Sequence, residues 1–389
     1  MKFQCILIPE IYFGNNSHLE LTRLTGRYGR KVLLITGIGS FNNLQQKNAI
    51  LDAYASHGYK CMRETISGEP STEQIDSIAE KYRESDVACV VAIGGGSVID
   101  AGKALSVMIS VSGSVEQYLE GVGNRMYEGK KIPMVAVSTC SGTGSEVTQN
   151  AVISKVGPQG YKRSIRNVSV MPNIAIVDPM LTYSCPPSLT VSSGMDAYTQ
   201  LLEAYISTNS NRFTDALVLD ALHGLPLALK NAFLNSSHEQ ARIQLAYSAM
   251  VSGIGLTNAG LGLVHGFASV IGGYFSIPHG VVCATLLPAV IKKTTLAALR
   301  EPGRYHVLLQ KLAHAGRIFT DKPGESIELA CKNLCETLYR MVEDFKIPGL
   351  RKYGVTEGDF DKIIASTGHK SHPVAFQAEE LREILKERL

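Results

Sequence analysis

An α/β layer followed by an all-helical half is the fold class that this 389-residue sequence predicts. Three observations carry it: apolar strand runs alternate with helical stretches up to about residue 180, prolines stand together at 186 and 187, and long amphipathic stretches follow. Residues 31–36, 87–93, 134–139 and 175–178 are continuous apolar runs, the pattern of strands buried on both faces of a parallel sheet. Helical patterns at 43–57 and 97–110 separate the first of these, giving the β-α-β-α-β order of a sheet covered by helices. Pro186 and Pro187 can continue neither a helix interior nor a central strand, so the domain boundary is placed there, with residues 1–185 as the α/β domain and 186–389 as the helical one. Helices are expected at 189–207, 214–234, 240–258, 281–293, 304–319 and 325–345, with no strand run of comparable strength among them.

With 45% hydrophobic and 19% charged residues, the chain can bury a large core. The 38 basic and 35 acidic side chains leave a net charge of +3, which gives no case for nucleic acid or an anionic membrane as partner. The N-terminal apolar run stops at Pro9 and Glu10, too short for a secretion signal, and no later stretch reads as membrane-spanning. A soluble cytoplasmic protein acting on a small molecule is therefore expected. Eight cysteines, scattered without CxxC pairs, read as reduced thiols.

Gly94, Gly95 and Gly96 follow a predicted strand, and Ser97 opens a helix. Backbone without side chains permits close approach there, and free N–H groups at a helix start favour a phosphate. A second turn, from Ser138 to Glu146, is rich in hydroxyls and again follows a strand. Two such loops at successive strand ends suggest a dinucleotide lying across the sheet.

In the helical half, Asp196, His265 and His279 supply one carboxylate and two imidazoles, a set suited to a catalytic divalent ion. Gly266 and Gly280 follow the two histidines, which would let a bound ligand approach closely, although spacing alone leaves a core reading equally open. His18, His57, His223, His238, His306 and His314 fall on predicted helices and read as solvated or capping side chains.

Taken together, several segments resemble the iron-containing (group III) alcohol dehydrogenase family, related in fold to glycerol dehydrogenase and dehydroquinate synthase. They are Gly94-Gly95-Gly96-Ser97-Val98-Ile99-Asp100 with Lys103, Gly142-Thr143-Gly144-Ser145-Glu146-Val147-Thr148, Asp178-Pro179, Gly194-Met195-Asp196-Ala197, His265-Gly266 and Pro278-His279-Gly280. The resemblance spans essentially the whole chain, and the 14-residue separation of His265 and His279 matches the family's metal-binding stretch. It implies an N-terminal dinucleotide-binding domain, a helical metal- and substrate-binding domain, and hydride transfer between a nicotinamide and a small alcohol or aldehyde. Gly95, Gly96 and Ser97 would cradle the pyrophosphate; Thr139, Cys140, Thr143, Ser145 and Thr148 would form the second cofactor loop, and Lys162 would lie near the ribose. Asp196, His265 and His279 would hold one divalent metal, iron or zinc. A homodimer or larger homo-oligomer is implied as well.

Cys140 departs mildly from the family pattern, in which two threonines are common in that loop, and three other positions depart further. Gln200 stands where a histidine usually follows the aspartate by one helical turn, and an amide is a poorer ligand for iron, so Gln200 is retained only as a further metal candidate. Ser269 stands where many members carry a proton-moving histidine, and it joins Asp196, His265 and His279 as a catalytic candidate. Gly37 ends the first strong strand where NAD-using members have an aspartate; with Ser40, Asn42 and Asn43 nearby, NADP(H) is expected to be preferred over NAD(H). Two alternatives remain: a lyase like dehydroquinate synthase, and a metal-free nucleotide-binding protein. The absence of lysine and arginine between Gly253 and Pro288 counts against the multiply anionic substrate of such a lyase.

Overall fold

A computed structural model describes residues 3–6, 8–129, 131–157, 160–320 and 322–389. In the first half, strands β1 (Glu10–Phe13), β2 (Lys31–Gly37), β3 (Lys60–Ile66), β4 (Cys89–Gly94), β5 (Met134–Ser138), β6 (Asn150–Lys155), β7 (Tyr161–Arg166) and β8 (Ile174–Val177) alternate with helices α1 (Leu21–Thr25), α2 (Ile38–Asn42), α3 (Lys47–Ser56), α4 (Thr72–Tyr82) and α5 (Gly96–Met108). Six strands form a parallel sheet in the order β1-β8-β5-β4-β2-β3, and β6 pairs with β7 as a separate antiparallel hairpin.

Side chains alternate across β2 so that both faces are covered. Leu33 and Ile35 join one apolar cluster with Ile75, Ile99 and Leu105, whereas Val32 and Leu34 join another with Leu24, Phe41 and Tyr54. From β2 the chain steps outward to β3, then returns to the other side of β2 and proceeds through β4, β5 and β8. The order therefore reverses between β2 and β4, and a crevice opens at the C-terminal strand ends there. Register places Gly94 opposite Ser138, so the two glycine- and hydroxyl-rich loops leave adjacent strands at one level.

The second half comprises α6 (Pro187–Ile206), α7 (Arg212–Leu222), α8 (Leu225–Leu234), α9 (Glu239–Ala259), α10 (Leu263–Tyr274), α11 (His279–Arg300), α12 (His306–Thr320), α13 (Ile327–Asp344), α14 (Phe360–Ser366) and α15 (Ala378–Glu387). Pro187 takes the first helical position of α6, where its missing N–H costs nothing. Helix α6 is the axis of this half, buried from Thr190 to Ile206 except at Ser193 and packed against α7, α8, α9 and α11.

Four sequence expectations are corrected. The stretch 214–234 is not one helix: Gly224, at φ 75°, splits it into α7 and α8. Helix α10, which carries His265, was not expected, because its glycines and short length mask its period. Arg212–Leu234 and His279–Arg300 are each long and apolar enough to cross a membrane, with mean hydropathies of 1.3 and 1.5. No uninterrupted apolar run betrays them, and in the fold the first stretch is broken while 72% of the second's most apolar 18-residue window is buried. His18 is not solvated; it is buried, with Nδ1 2.5 Å from Asp178 Oδ2.

Candidate functional site

Between the two halves lies a cleft of about 1190 Å³. Gly37, Gly95, Gly96, Ser97, Thr139, Cys140, Thr143, Ser145, Thr148 and Lys162 from the α/β half line it, together with Asp196, Gln200, His265, Ser269 and His279 from the helical half. One continuous space thus joins the phosphate-loop candidates to the metal candidates.

On the sheet side, α5 begins at the crevice with Gly95 as its N-cap, offering no side-chain oxygen to cap the helix. A Cβ on Gly96 would stand 2.6 Å from Thr143 Oγ1, and one on Gly95 3.1 Å from Cys140 Sγ, so these glycines also let the second loop pack onto the first. The second loop is wedged between the sheet and the helical half. Gly144, at φ 60°, comes so close to α9 that a Cβ there would lie 2.5 Å from Ala249 O. The hydroxyls of Thr139 and Ser141 are buried without a partner among the described residues, the arrangement expected where a polar ligand completes the bonding. Thr148 is otherwise engaged: its hydroxyl accepts from Lys103 Nζ at 2.7 Å. Lys162 is ion-paired with Glu69.

On the helical side, Asp196, Gln200 and Glu203 follow one face of α6, with His265 near the start of α10 and His279 at the first position of α11. Ligand atoms of Asp196, His265, His279 and Cys283 all lie within 4.8 Å of one another. Asp196 Oδ1 sits 3.3 Å from His265 Nε2 and 3.7 Å from His279 Nε2. Cys283 Sγ is 3.7 Å from each of those two nitrogens. The other ring nitrogen of His265, Nδ1, is 2.7 Å from Glu203 Oε2, whose second oxygen accepts from the Val264 N–H, also at 2.7 Å.

This second contact decides the chemistry. With its proton directed at Glu203, His265 turns a lone pair toward a carboxylate oxygen that itself lacks a hydrogen-bond partner. Two acceptors 3.3 Å apart repel unless a cation lies between them. Where no cation lies there, burial opposes charge on His265, but Cys283, Asp196 and Glu203 outweigh it and hold the ring's pKa well above 6.5. Burial would likewise raise the Asp196 carboxyl, yet the neighbouring imidazoles bring it down to about 2, while burial pushes the Cys283 thiol up to about 12. The pocket calls for positive charge at its centre, and the donor set of carboxylate, two imidazoles and a thiol fits a divalent metal.

Gln200 is placed differently from the other candidates. Its Nε2 donates to Asp196 Oδ2 at 3.5 Å, and its Oε1 lies 3.3 Å from the Ser252 hydroxyl. Ser269 lies one turn beyond His265 and donates to that residue's carbonyl at 2.8 Å. The glycines beside the histidines prove to accommodate backbone. A Cβ on Gly266 would stand 2.1 Å from Gly368 O, and one on Gly280 2.2 Å from Ser192 O. Cys283 and Glu203 were absent from the sequence-derived site, although each carried a signal: Cys283 follows His279 by four residues on one helix, and Glu203 follows Asp196 by seven.

The residues matched by family models extend through both halves. Residues 9–179 match the model described as iron-containing alcohol dehydrogenase, and residues 190–389 match that of the Fe-containing alcohol dehydrogenase family, C-terminal. The chain belongs to the iron-containing alcohol dehydrogenase family. Among its relatives, alcohol dehydrogenase 4 of Saccharomyces cerevisiae (strain ATCC 204508 / S288c) is 32% identical, with 97% of each chain covered. The NADPH-dependent butanol dehydrogenase of Clostridium saccharobutylicum is 29% identical over 97% of this chain and 95% of that one. A crystal structure of 1,3-propanediol oxidoreductase superposes with a TM-score of 0.87 at 29% identity, covering 100% of both chains. As a member of this family, the chain is an oxidoreductase of alcohols and aldehydes that works with a nicotinamide cofactor.

Glu203 is expected to matter to this iron-containing alcohol dehydrogenase homologue although it does not join the ligand cluster. Glu203→Gln keeps the shape but removes the charge that orients His265, and competition with a chelator should show metal affinity reduced by about 10–100-fold. Unchanged retention would separate Glu203 from the metal site.

Proposed function

We propose that this chain reduces small aldehydes with NADP(H) in preference to NAD(H), and that it holds zinc rather than iron through Asp196, His265, His279 and Cys283. The metal identity is carried by the Cys283 thiol, which joins the cluster while Gln200 is turned to hold Asp196. Thiolate is a soft ligand that suits zinc, and a set of two imidazoles, one carboxylate and one thiolate resembles zinc sites more than the oxygen- and nitrogen-rich sites of catalytic iron. When bound, the metal supplies a Lewis acid that draws electron density from the substrate oxygen.

The protein's part is to hold and orient. Glu203 fixes the His265 ring, Gln200 positions the Asp196 carboxylate, and the phosphate-loop glycines and second-loop hydroxyls set the cofactor along the crevice toward that point. At the adenosine end, Gly37, Ile38, Gly39, Ser40 and Asn43 line the cleft without a carboxylate to repel a 2′-phosphate. Arg63 reaches to within 3.4 Å of Asn42 Oδ1, adding positive charge nearby. The convergence of four metal-ligating groups supports this reading over a metal-free nucleotide binder.

Metal analysis of protein purified without chelator, combined with NADPH and NADH oxidation over a panel of short aldehydes, tests the proposal. One zinc per chain and a kcat/KM at least about tenfold higher with NADPH, equivalent to ~1.4 kcal/mol, are expected. Cobalt-substituted protein should show a near-ultraviolet thiolate-to-metal band that Cys283→Ser abolishes. Stoichiometric iron would overturn the choice of zinc, and a band that survives in the variant would remove Cys283 from the metal.

A further inference from the structure

The helical half supplies no lysine or arginine between Gly253 and Pro288, yet the cleft beside the metal cluster is not without cations. Lys162, Arg163 and Arg166 enter it from β7, and Lys370 enters from the loop after α14. Two of the four are neutralised: Lys162 pairs with Glu69, and Arg166 Nε lies 3.1 Å from Glu120 Oε1. Arg163 and Lys370 form no ion pair among the described residues.

Lys370 is the better placed of these two. Its Nζ lies 3.4 Å from the Ser269 hydroxyl, on the turn of α10 that follows His265. The loop that carries it is pinned rather than loose. Ser371 N donates to Leu261 O at 3.0 Å, His372 Nε2 lies 3.0 Å from Thr294 Oγ1, and Gly368 O packs into the space that Gly266 leaves by having no Cβ. Lys370 itself adopts φ 51°, a left-handed conformation uncommon for a residue with a long side chain. The other charged group facing it from below, Glu203, is already committed to His265 and the Val264 N–H. Its side chain is exposed to the cleft, where Arg163 and Arg166 add to the positive charge around its ammonium. An unpaired cation that lines a substrate cleft offers a charge-assisted contact to an anionic partner.

Resting on the aldehyde-reductase reading above, we propose that Lys370, assisted by Arg163, binds an anionic group on the substrate, so that the preferred substrate is a short aldehyde bearing a terminal carboxylate. Its carbonyl would face the metal cluster while its carboxylate meets Lys370. One free lysine with one free arginine beside it suits a carboxylate, unlike the multiply anionic substrate of a lyase.

The test compares neutral aldehydes, ω-carboxylated aldehydes and phosphorylated aldehydes of matched length with the zinc-loaded wild type, Lys370→Ala and Lys370→Arg. The carboxylated series should show the lowest KM in the wild type. Lys370→Ala should raise that KM by about 10–100-fold, the worth of a charge-assisted contact, with Lys370→Arg recovering much of it. Kinetics on neutral aldehydes and the KM for NADPH should stay within about twofold in all three proteins. A lowest KM for phosphorylated aldehydes would overturn the choice of carboxylate. Equal KM for neutral and anionic substrates in the wild type, or equal losses for both in Lys370→Ala, would overturn the role of Lys370 while leaving the oxidoreductase intact. Failure of the wild type to reduce any aldehyde would instead overturn the reading on which this inference rests.

Discussion

Asp196→Ala is expected to lower turnover by about 10³-fold or more, ~4 kcal/mol of transition-state stabilisation, while NADPH binding stays within about twofold. The carboxylate touches both imidazoles of the cluster and is the only one of the four ligand groups on α6. Without it, His265, His279 and Cys283 remain, and the centre loses the carboxylate charge that faces both imidazoles, which should weaken its hold on a divalent ion. The fold should survive. Asp196 Oδ1 has no hydrogen-bond partner among the described residues, Oδ2 loses only a 3.5 Å contact from Gln200, and alanine is the best helix former. Metal content, steady-state turnover and NADPH fluorescence on one preparation decide the matter. Turnover near the wild-type level with metal retained would move the catalytic centre elsewhere in the cleft.

The strand and loop parts of this site that the sequence revealed share one property: each residue acts through its local neighbours. The three-glycine turn follows a fully apolar strand and opens a helix, so its place at the sheet edge is legible from about ten consecutive residues. Strands β2, β4, β5 and β8 were legible for the same reason, since burial on both faces makes them continuous apolar runs. Strands β1 and β3 lie at the two sheet edges, and β3 carries Lys60, Arg63 and Glu64 among its seven residues. Their pattern lacks the apolar run that the reading relied on.

Asp196, His265 and His279 were legible from their residue types and the family resemblance, but other residues whose role depends on tertiary contact stayed hidden. Cys283 reads as one of eight scattered thiols until α11 is placed against α6 and α10. Lys370 follows His265 by 105 positions, and only the packing of Gly368 on Gly266 brings it to the metal side of the cleft. The glycines after the two histidines could be read as room for a ligand, because a sequence shows that space is needed but not what fills it. Here carbonyl groups of two other segments fill it.

The largest stability effect is expected away from the metal, at Lys103. This side chain is fully buried on α5, with its ammonium donating to Thr148 Oγ1 at 2.7 Å and Asn150 O at 2.9 Å, and lying 3.4 Å from Asp100 Oδ1. It thereby ties the helix that starts at the phosphate loop to the end of the second cofactor loop and to β6. Lys103→Met keeps the length and apolar stem but leaves the Asp100 carboxylate uncompensated and two acceptors without a donor, a change that should cost about 3–5 kcal/mol in urea unfolding. The deficit should depend on pH in a definite direction. Burial already raises the Asp100 pKa and lifts that of Glu146 from 4.5 to about 7, and loss of the lysine charge would raise both further. A carboxyl whose pKa is higher in the folded state favours folding at low pH, and that benefit is lost as pH rises through the folded value. The Lys103→Met deficit should therefore shrink as pH falls from about 7 toward 5, and Asp100→Asn added to Lys103→Met should restore part of it at neutral pH. A loss below about 1 kcal/mol, or a deficit that deepens in acid, would mean that the lysine acts by packing rather than by charge.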